Sequence, residues 1–431
     1  MKRSLLFSIV VVGLALPLVA RAAAGDLDPS FGSGGKVFTD FGSTRDSAGR
    51  AVAIQPNGKI VVTGFSSIRG SDEDDFALAR YNRDGSLDQS FGSGGRVLTD
   101  FGVGSSNQAH ALAIEPDGRI VAAGWSLSLA PGTFYFALAR YNRDGSLDQS
   151  FGAGGKVLTD IGPFGGMAQA VAIQPNGKIV GAGDNFSGFA LVRYNPDGSL
   201  DSSFGSGGKV FTDLGFGSRA WSVAIEPRGK IVAAGQGITE GECFPDTACV
   251  EFGLARYNRD GSLDQSFGSG GKVFTDFAQS FDEALDMTIE PGGKIVAAGV
   301  SDAAGSNDFA LARYNRHGSL DQSFGSGGKV LTDFASGSYD QAWGVARMPN
   351  GKLIAVGIGG LPIETGDHDA ALARYDRDGS LDQTFGSGGK VLTDVGFGAD
   401  DVFDGAIDPA GRIVAVGGKG GDFVALRFLG R

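Results

Sequence analysis

The sequence predicts an all-β fold, a seven-bladed β-propeller of four-stranded antiparallel blades, on three observations. The phrase Phe-Gly-x-Gly-Gly occurs seven times, starting at Phe31, Phe91, Phe151, Phe204, Phe267, Phe324 and Phe385, at intervals of 53 to 63 residues, a period that marks a repeat architecture. Each interval holds four short runs of strand-forming residues and none of helical periodicity, and the 73 glycines and recurrent turn dipeptides interrupt any helix. The two ends of the chain are complementary fragments of one repeat. Lys36-Val-Phe-Thr-Asp40 is a fourth strand with no first three before it, and Phe423-Val-Ala-Leu-Arg-Phe428 is a third strand with no fourth behind it. Pairing them closes a ring and removes the exposed sheet edge.

Residues 50–100 represent the unit. Ala51-Val-Ala-Ile-Gln55 alternates as a strand, Pro56-Asn57-Gly58 supplies the positive φ of a tight hairpin turn, and Lys59-Ile-Val-Val-Thr63 is the partner strand. After a variable stretch, Phe76-Ala-Leu-Ala-Arg-Tyr81 forms a third strand, Asn82-Arg-Asp-Gly85 a turn, and Arg96 to Asp100 a fourth strand beyond Phe91-Gly-Ser-Gly-Gly95. A four-stranded sheet that is apolar on both faces cannot shield itself and must stack on copies of itself.

Ahead of the repeats, Lys2 and Arg3, an apolar run from Leu5 to Val19 and Ala20, Ala22, Ala23 and Ala24 around Arg21 read as an export signal cut after Ala22 or Ala24. Residues 1–24 are then a signal peptide and 25–431 the propeller. The alternative, a membrane anchor, is disfavoured because the run falls short of the roughly 20 apolar residues a span requires. With 37 basic against 49 acidic residues the formal net charge is −12, which argues against nucleic acid or anionic lipid as partner. Cys243 and Cys249 lie six positions apart in one long insertion, and in an exported protein they are expected to form a local disulfide. A metal site is the rival reading of that pair.

The runs Ala-x-Ile-x-Pro-Asn-Gly-Lys-Ile-Val-x-x-Gly, Phe-Ala-Leu-Ala-Arg-Tyr-Asn-x-Asp-Gly-Ser-Leu-Asp and Phe-Gly-x-Gly-Gly together resemble the bacterial delta-60 repeat family and, more distantly, the NHL-type propeller repeats. The resemblance covers nearly all of the chain after the leader. It implies a secreted or surface-associated propeller whose biochemical role is undefined.

The turn Asn82-Arg83-Asp84-Gly85-Ser86-Leu87-Asp88 partly matches an oxygen-rich calcium loop. Arg80 stands where an alternating ligand belongs, and the copy at Asn315-Arg316-His317-Gly318 lacks the Asp, so a turn capped by Asp and Asn side chains is the favoured reading. Phe-Gly-x-Gly-Gly is read as packing rather than as a phosphate cradle, because no helix follows it. The Arg of each third strand (Arg80, Arg140, Arg193, Arg256, Arg313, Arg374, Arg427) is expected to pair with the Asp ending a fourth strand (Asp40, Asp100, Asp160, Asp213, Asp276, Asp333, Asp394).

Function is sought where the copies differ. The variable stretches, among them Phe65 to Asp75, Trp125 to Tyr135, Gln236 to Glu251 and Ile358 to Asp369, fall at one end of the blades, opposite the uniform turns. Aligning the repeats isolates one position just before each innermost strand, occupied by Arg50, His110, Gln169, Trp221, Leu285, Trp343 and Phe403. These are expected to ring the mouth of the central channel, polar in the first three blades and apolar or aromatic in the rest, which suits a ligand with an apolar body and a polar handle. Packing of Trp221, Trp343 and Phe403 between blades is the competing explanation.

Trp125, Tyr135, Glu283 and Asp400 are further candidates on the variable face. The leading expectation is a non-catalytic binding or scaffold propeller in the periplasm or at the cell exterior, a monomer that takes a protein or glycan ligand and needs no cofactor. A hydrolase or lyase using carboxylates such as Asp282 with Glu283 or Asp400 with Asp401, with or without calcium, and a calcium-dependent adhesin are the alternatives.

Overall fold

The computed structural model describes residues 22–71, 73–102, 105–128, 132–244, 247–360, 368–396 and 400–431, with backbone alone at 241–244 and 247–248. The leader assigned to residues 1–24 therefore lies almost wholly outside the described residues, as does the side chain of Cys243. Among the described residues no helix is long and apolar enough to cross a membrane.

Among the described residues twenty-eight strands, numbered β1 to β28 in chain order, form seven antiparallel sheets of four. The first blade runs β2 (Arg45–Ile54), β3 (Ile60–Ile68), β4 (Asp74–Tyr81) and β5 (Arg96–Thr99) from the channel outward. The innermost strands of the next six are β6 (Ser105–Ile114), β10 (Met167–Ile173), β14 (Arg219–Ile225), β18 (Asp282–Ile289), β22 (Gln341–Arg347) and β26 (Asp401–Ile407). In the last blade β26, β27 (Ile413–Lys419) and β28 (Asp422–Phe428) are completed by β1 (Lys36–Thr39), with Lys36 opposite Leu426 and Thr39 opposite Phe423. The two chain ends thus zip into one sheet, as their complementary truncation predicts.

Near-continuous apolar runs make sense because each sheet is covered on both faces. In β15 (Ile231–Phe244), Ile231 and Ala233 pack with the third blade while Val232 and Ala234 pack with the fifth. Seven such buried clusters, each shared by two neighbouring blades, run round the ring.

A repeated polar lock reinforces those seams at the turn end. Arg140, 2 % exposed, donates from Nε to Asp148 at 2.9 Å, stacks 4.5 Å from the centre of the Phe151 ring, and donates from a terminal nitrogen to the Pro196 carbonyl of the next blade. The same set recurs with Arg80, Asp88 and Phe91, and so on to Arg374, Asp382 and Phe385. In the closing blade Arg427 takes both partners, Asp28 and Phe31, from the other end of the chain.

The expected pairing of these arginines with Asp40, Asp100 and their equivalents is corrected by this geometry. Third and fourth strands run antiparallel, with Ala79 opposite Arg96 and Phe76 opposite Thr99, so Arg80 and Asp100 end up at opposite ends of the blade. Asp100 instead accepts the Gly102 N–H at 2.8 Å and starts a loop. The tyrosine after each arginine bridges blades as well: Tyr141, fully buried, bonds Thr99 of the preceding blade at 2.8 Å. In the copy at the closing blade Phe428 replaces the tyrosine.

The Asn-x-Asp-Gly turns are structural in form. Asp84 accepts both the N–H and the hydroxyl of Ser86, at 3.0 and 2.7 Å, and the Asn82 amide reaches the Ser86 hydroxyl.

Candidate functional site

All seven aligned residues line one cavity of about 330 Å³ at the channel mouth. They sit inside the innermost strands rather than ahead of them, each as the extra residue of a β-bulge. The register slips at Arg50 between Gly49 and Ala51, at His110 between Ala109 and Ala111, and likewise at Gln169, Trp221, Leu285, Trp343 and Phe403. A bulge leaves one residue unpaired and re-aims its side chain, which turns seven strand residues toward the axis.

The neighbouring strand makes room for it with a glycine. At Gly124 a Cβ would lie 1.9 Å from the Gln108 carbonyl oxygen, and Gly64, Gly183, Gly235, Gly299, Gly357 and Gly417 meet the equivalent carbonyl just as closely. The glycine that ends Lys-Ile-Val-x-x-Gly is therefore the seat of the bulge.

The mouth has two unlike halves. In the first, His110 Nε2 accepts the Trp125 indole N–H at 3.2 Å, which places the ring proton on Nδ1. Burial, aided by the charge of Arg50, pushes its pKa down to about 3, with the Gln169 side chain pulling the other way, so His110 is neutral.

The Arg50 guanidinium lies 3.9 Å over the Phe403 ring and 5.6 Å from that of Phe65. Its Nε has no hydrogen-bond partner among the described residues, and burial lowers its pKa, offset in part by the charge of Asp401. It enters no ion pair among the described residues.

In the other half Trp343 packs edge-on to Phe403 with ring centres 5.5 Å apart, and its buried Nε1 lacks a partner among the described residues. Trp221 donates to Glu283 at 2.6 Å, and the Arg219 guanidinium lies 5.0 Å from its ring. Trp343 and Phe403 do touch across a blade seam, yet both also line the cavity, so packing and lining are not exclusive.

The variable-face candidates divide. Trp125 and Tyr135 belong to strands, β7 (Ile120–Ser128) and β8 (Thr133–Tyr141), where Trp125 faces Phe136 and Tyr135 faces Ser126. Their aromatic and β-branched neighbours prolong the ladder past the point where the repeats diverge. Glu283 lies in β18 and is held by Trp221, its pKa raised by burial. Asp282 beside it points the other way, into bonds with the Phe277 N–H and the Ser280 hydroxyl.

Adjacent strand residues face opposite sides, so these two are not a catalytic pair. Asp400, just ahead of β26, is buried against Lys419 while Asp401 bonds His368 at 3.0 Å, so the second pair is engaged with different partners. Cys249 is buried, and its pairing with Cys243 falls outside the described residues.

Sequence reasoning missed a second ring, one residue beyond each bulge: Ala51, Ala111, Ala170, Ser222, Asp286, Gly344 and Asp404. Asp286 accepts the Ser222 hydroxyl from the preceding blade and the Val345 N–H from the following one, both at 2.8 Å. Asp404 accepts the N–H groups of Val52 and Gly405 at 2.8 and 2.7 Å. Burial pushes the pKa of Asp286 up to about 6 and that of Asp404 to about 7, the latter also through the charge of Asp286. The two Asp residues stand out once the repeats are aligned one position further on.

Six segments, 55–91, 115–151, 174–204, 250–267, 291–324 and 349–385, match the family described as domain of unknown function (DUF5122) beta-propeller. No curated protein matches the chain. Among solved structures, a catalytically inactive virginiamycin B lyase from Staphylococcus aureus with quinupristin is similar at a TM-score of 0.53 and 11% identity, covering 91% of this chain and 99% of that one. A streptogramin B lyase is similar at 0.52 and 10%, covering 91% and 97%. Drosophila Semaphorin 1b, extracellular domains 1-2, is similar at 0.50 and 9%, covering 94% and 88%. At these identities the likeness is one of fold: the chain is a β-propeller repeat protein.

Proposed function

We propose that this protein is a non-catalytic binding propeller, exported to the periplasm or the cell exterior, whose mouth receives one end of a protein or glycan ligand. The observation that carries the reading is the convergence of seven different bulge residues on one cavity, built on a scaffold that is otherwise repeated. About 330 Å³ suits a sugar unit or a side chain rather than a whole large ligand. Arg50 supplies a cation for an acidic handle, and Trp343, Phe403 and Leu285 supply an apolar wall for the body behind it.

All three tryptophans of the chain, Trp125, Trp221 and Trp343, lie at this end of the ring and serve as reporters. Titrating uronate-containing oligosaccharides and acidic peptides is expected to give a saturable change in tryptophan fluorescence that Arg50→Gln weakens about tenfold or more, the range of a charge-assisted contact. No saturable change with either class, or one indifferent to Arg50→Gln and Trp343→Ala, overturns the reading.

One observation favours a hydrolase or lyase instead: Asp404, at about 7, lies in the range of a general acid or base and lines the cavity. Both its oxygens already accept main-chain N–H groups, so binding is the stronger reading. Turnover of a glycan that Asp404→Asn abolishes without loss of folding would reverse that order.

A further inference from the structure

We propose that Asp308, Asp333 and Asp340 hold a divalent cation of the hard, oxygen-seeking class to which calcium belongs, at the seam between the fifth and sixth blades. Carboxylate oxygens of the three lie within 4.8 Å of one another, which is the span across an ion with oxygen ligands at about 2.4 Å. Asp308 starts the third strand of the fifth blade, Asp333 follows that blade's fourth strand, and Asp340 precedes β22 of the sixth. Asp308 is 2 % exposed and Asp340 is fully buried. The Asp340 carboxylate is oriented by the N–H groups of Phe334 and Gly360 and the Ser338 hydroxyl, at 2.8 to 2.9 Å. Asp308 Oδ1 is buried with no hydrogen-bond partner among the described residues.

The next seam supplies an internal comparison. Asp369, Asp394 and Asp400 occupy the same three positions one blade further on and are gathered just as closely. There Lys419 brings its ammonium onto Asp400, anchored also on the Gly396 carbonyl at 2.9 Å. Asp401 pairs with Gly418 and Gln341 with Ile358, so the residue equivalent to Lys419 in the sixth blade is Gly359.

Gly359 brings no side chain and so no cation, and a Cβ there would lie 2.6 Å from Asp340 Oδ1 and displace that carboxylate. In the first blade Asp75 likewise has a resident cation, Arg45 at 2.9 Å. Lys390 does sit on the Asp333 carbonyl, but Lys36 sits on that of Asp394 in the same way, so this contact is common to both seams. The positive charge that Lys419 provides at one seam must come from solution at the other.

Burial, and then the charges of Asp333 and Asp340, push Asp308 up to about 6, as expected of a carboxylate cluster that lacks its counter-charge.

The test is calorimetric titration of the chelator-treated full chain with calcium and with magnesium, followed by thermal melting. One ion is expected to bind per chain, weakened at least tenfold in Asp308→Asn and in Asp333→Asn, whose exposed side chain makes it safe for folding. Wild type is expected to melt about 3 °C higher at a calcium concentration a hundredfold above Kd. In chelator Asp308→Asn is expected to melt no lower than wild type, since it removes a buried repulsion. Absence of binding at millimolar calcium and magnesium, or undiminished binding in both variants, overturns the site.

Discussion

Arg140, buried, and Arg50, half-buried, both stack a guanidinium on a phenyl ring, one at the turn end of the blades and one at the mouth. Arg140 has its carboxylate, Asp148, and a carbonyl of the next blade; Arg50 has Phe403 beneath it and no carboxylate within ion-pair reach among the described residues. The first arrangement recurs seven times and holds neighbouring blades together. The second occurs once, at a position where the other six blades carry five other residue types, tryptophan twice. A charge drawn partly out of water with no ion pair of its own among the described residues is costly to a fold, so Arg50 is better explained by something it meets than by something it supports. Repetition marks the residues that hold the ring, and variation at a conformationally repeated position marks those released from that duty.

The comparison breaks first at the closure. Deleting Gly35 to Phe41 removes β1, the strand that completes the last blade and ties the two chain ends together. The expected result is loss of most of the folding free energy, on the order of 5–15 kcal/mol for a domain, read by denaturant unfolding. A chain that unfolds at an unchanged midpoint would show that the ends do not hold each other.

Next comes the seat of a bulge. Gly124→Ala forces a Cβ against the Gln108 carbonyl and is expected to destabilise by about 3 kcal/mol, the upper range for overpacking, and to withdraw His110 from the mouth. Gly181→Ala, in the equivalent strand of the third blade but where a Cβ would meet its nearest neighbour at 3.7 Å, should cost far less, and equal losses would remove the argument for the bulge.

The smallest of the three, taken residue by residue, is a pH effect that separates the ends. Asp404, Asp286 and Asp308 have folded pKa values of about 7, 6 and 6 against 3.8, so the fold pays a penalty for ionising them that is absent below the unfolded value and complete above the folded one. Lowering pH from 8 to 5 in chelator should therefore raise stability, by on the order of 2 kcal/mol from Asp404 alone.

At the turn end the sign is opposite. Burial alone would raise Asp88, but hydrogen bonds from Lys59, Ser90 and Arg80 outweigh it and hold the carboxyl far below the usual range, as happens at Asp201, Asp264, Asp321 and Asp382. That contribution persists above pH 4 and is lost as pH falls further. A melting temperature that declined steadily from pH 8 to pH 5 would contradict the assignment at the mouth.

The ring and its closure were legible in the sequence because they rest on periodicity, turn dipeptides and two half-repeats, all of which are local patterns. The mouth residues were legible because alignment of the copies places one position in seven equivalent settings. Three things were not. The partner of Arg80 depends on which end of an antiparallel pair each residue reaches, and Asp88 and Asp100 look equally suited until the register is known. Trp125 and Tyr135 sit where the repeats diverge, yet divergence in sequence did not end the strands. Asp286, Asp404 and the Asp308 cluster draw their character from burial and from residues in neighbouring blades, 59 positions away in the bond from Val345 to Asp286 and 352 in the bond from Val52 to Asp404, and no spacing rule reports that.

The most direct measurement of the division between the two ends is the unfolding free energy of Arg140→Gln beside that of Arg50→Gln under one set of conditions. Removing Arg140 leaves the buried Asp148 carboxylate with Arg119 as its one cation among the described residues, beside the bonds from Ser150, and is expected to cost about 3–5 kcal/mol, whereas Arg50→Gln is expected to change stability by less than about 1 kcal/mol, since the lost cation–π contact is offset by relief of its desolvation. Equal losses at the two arginines, or a larger loss at Arg50, would contradict the account.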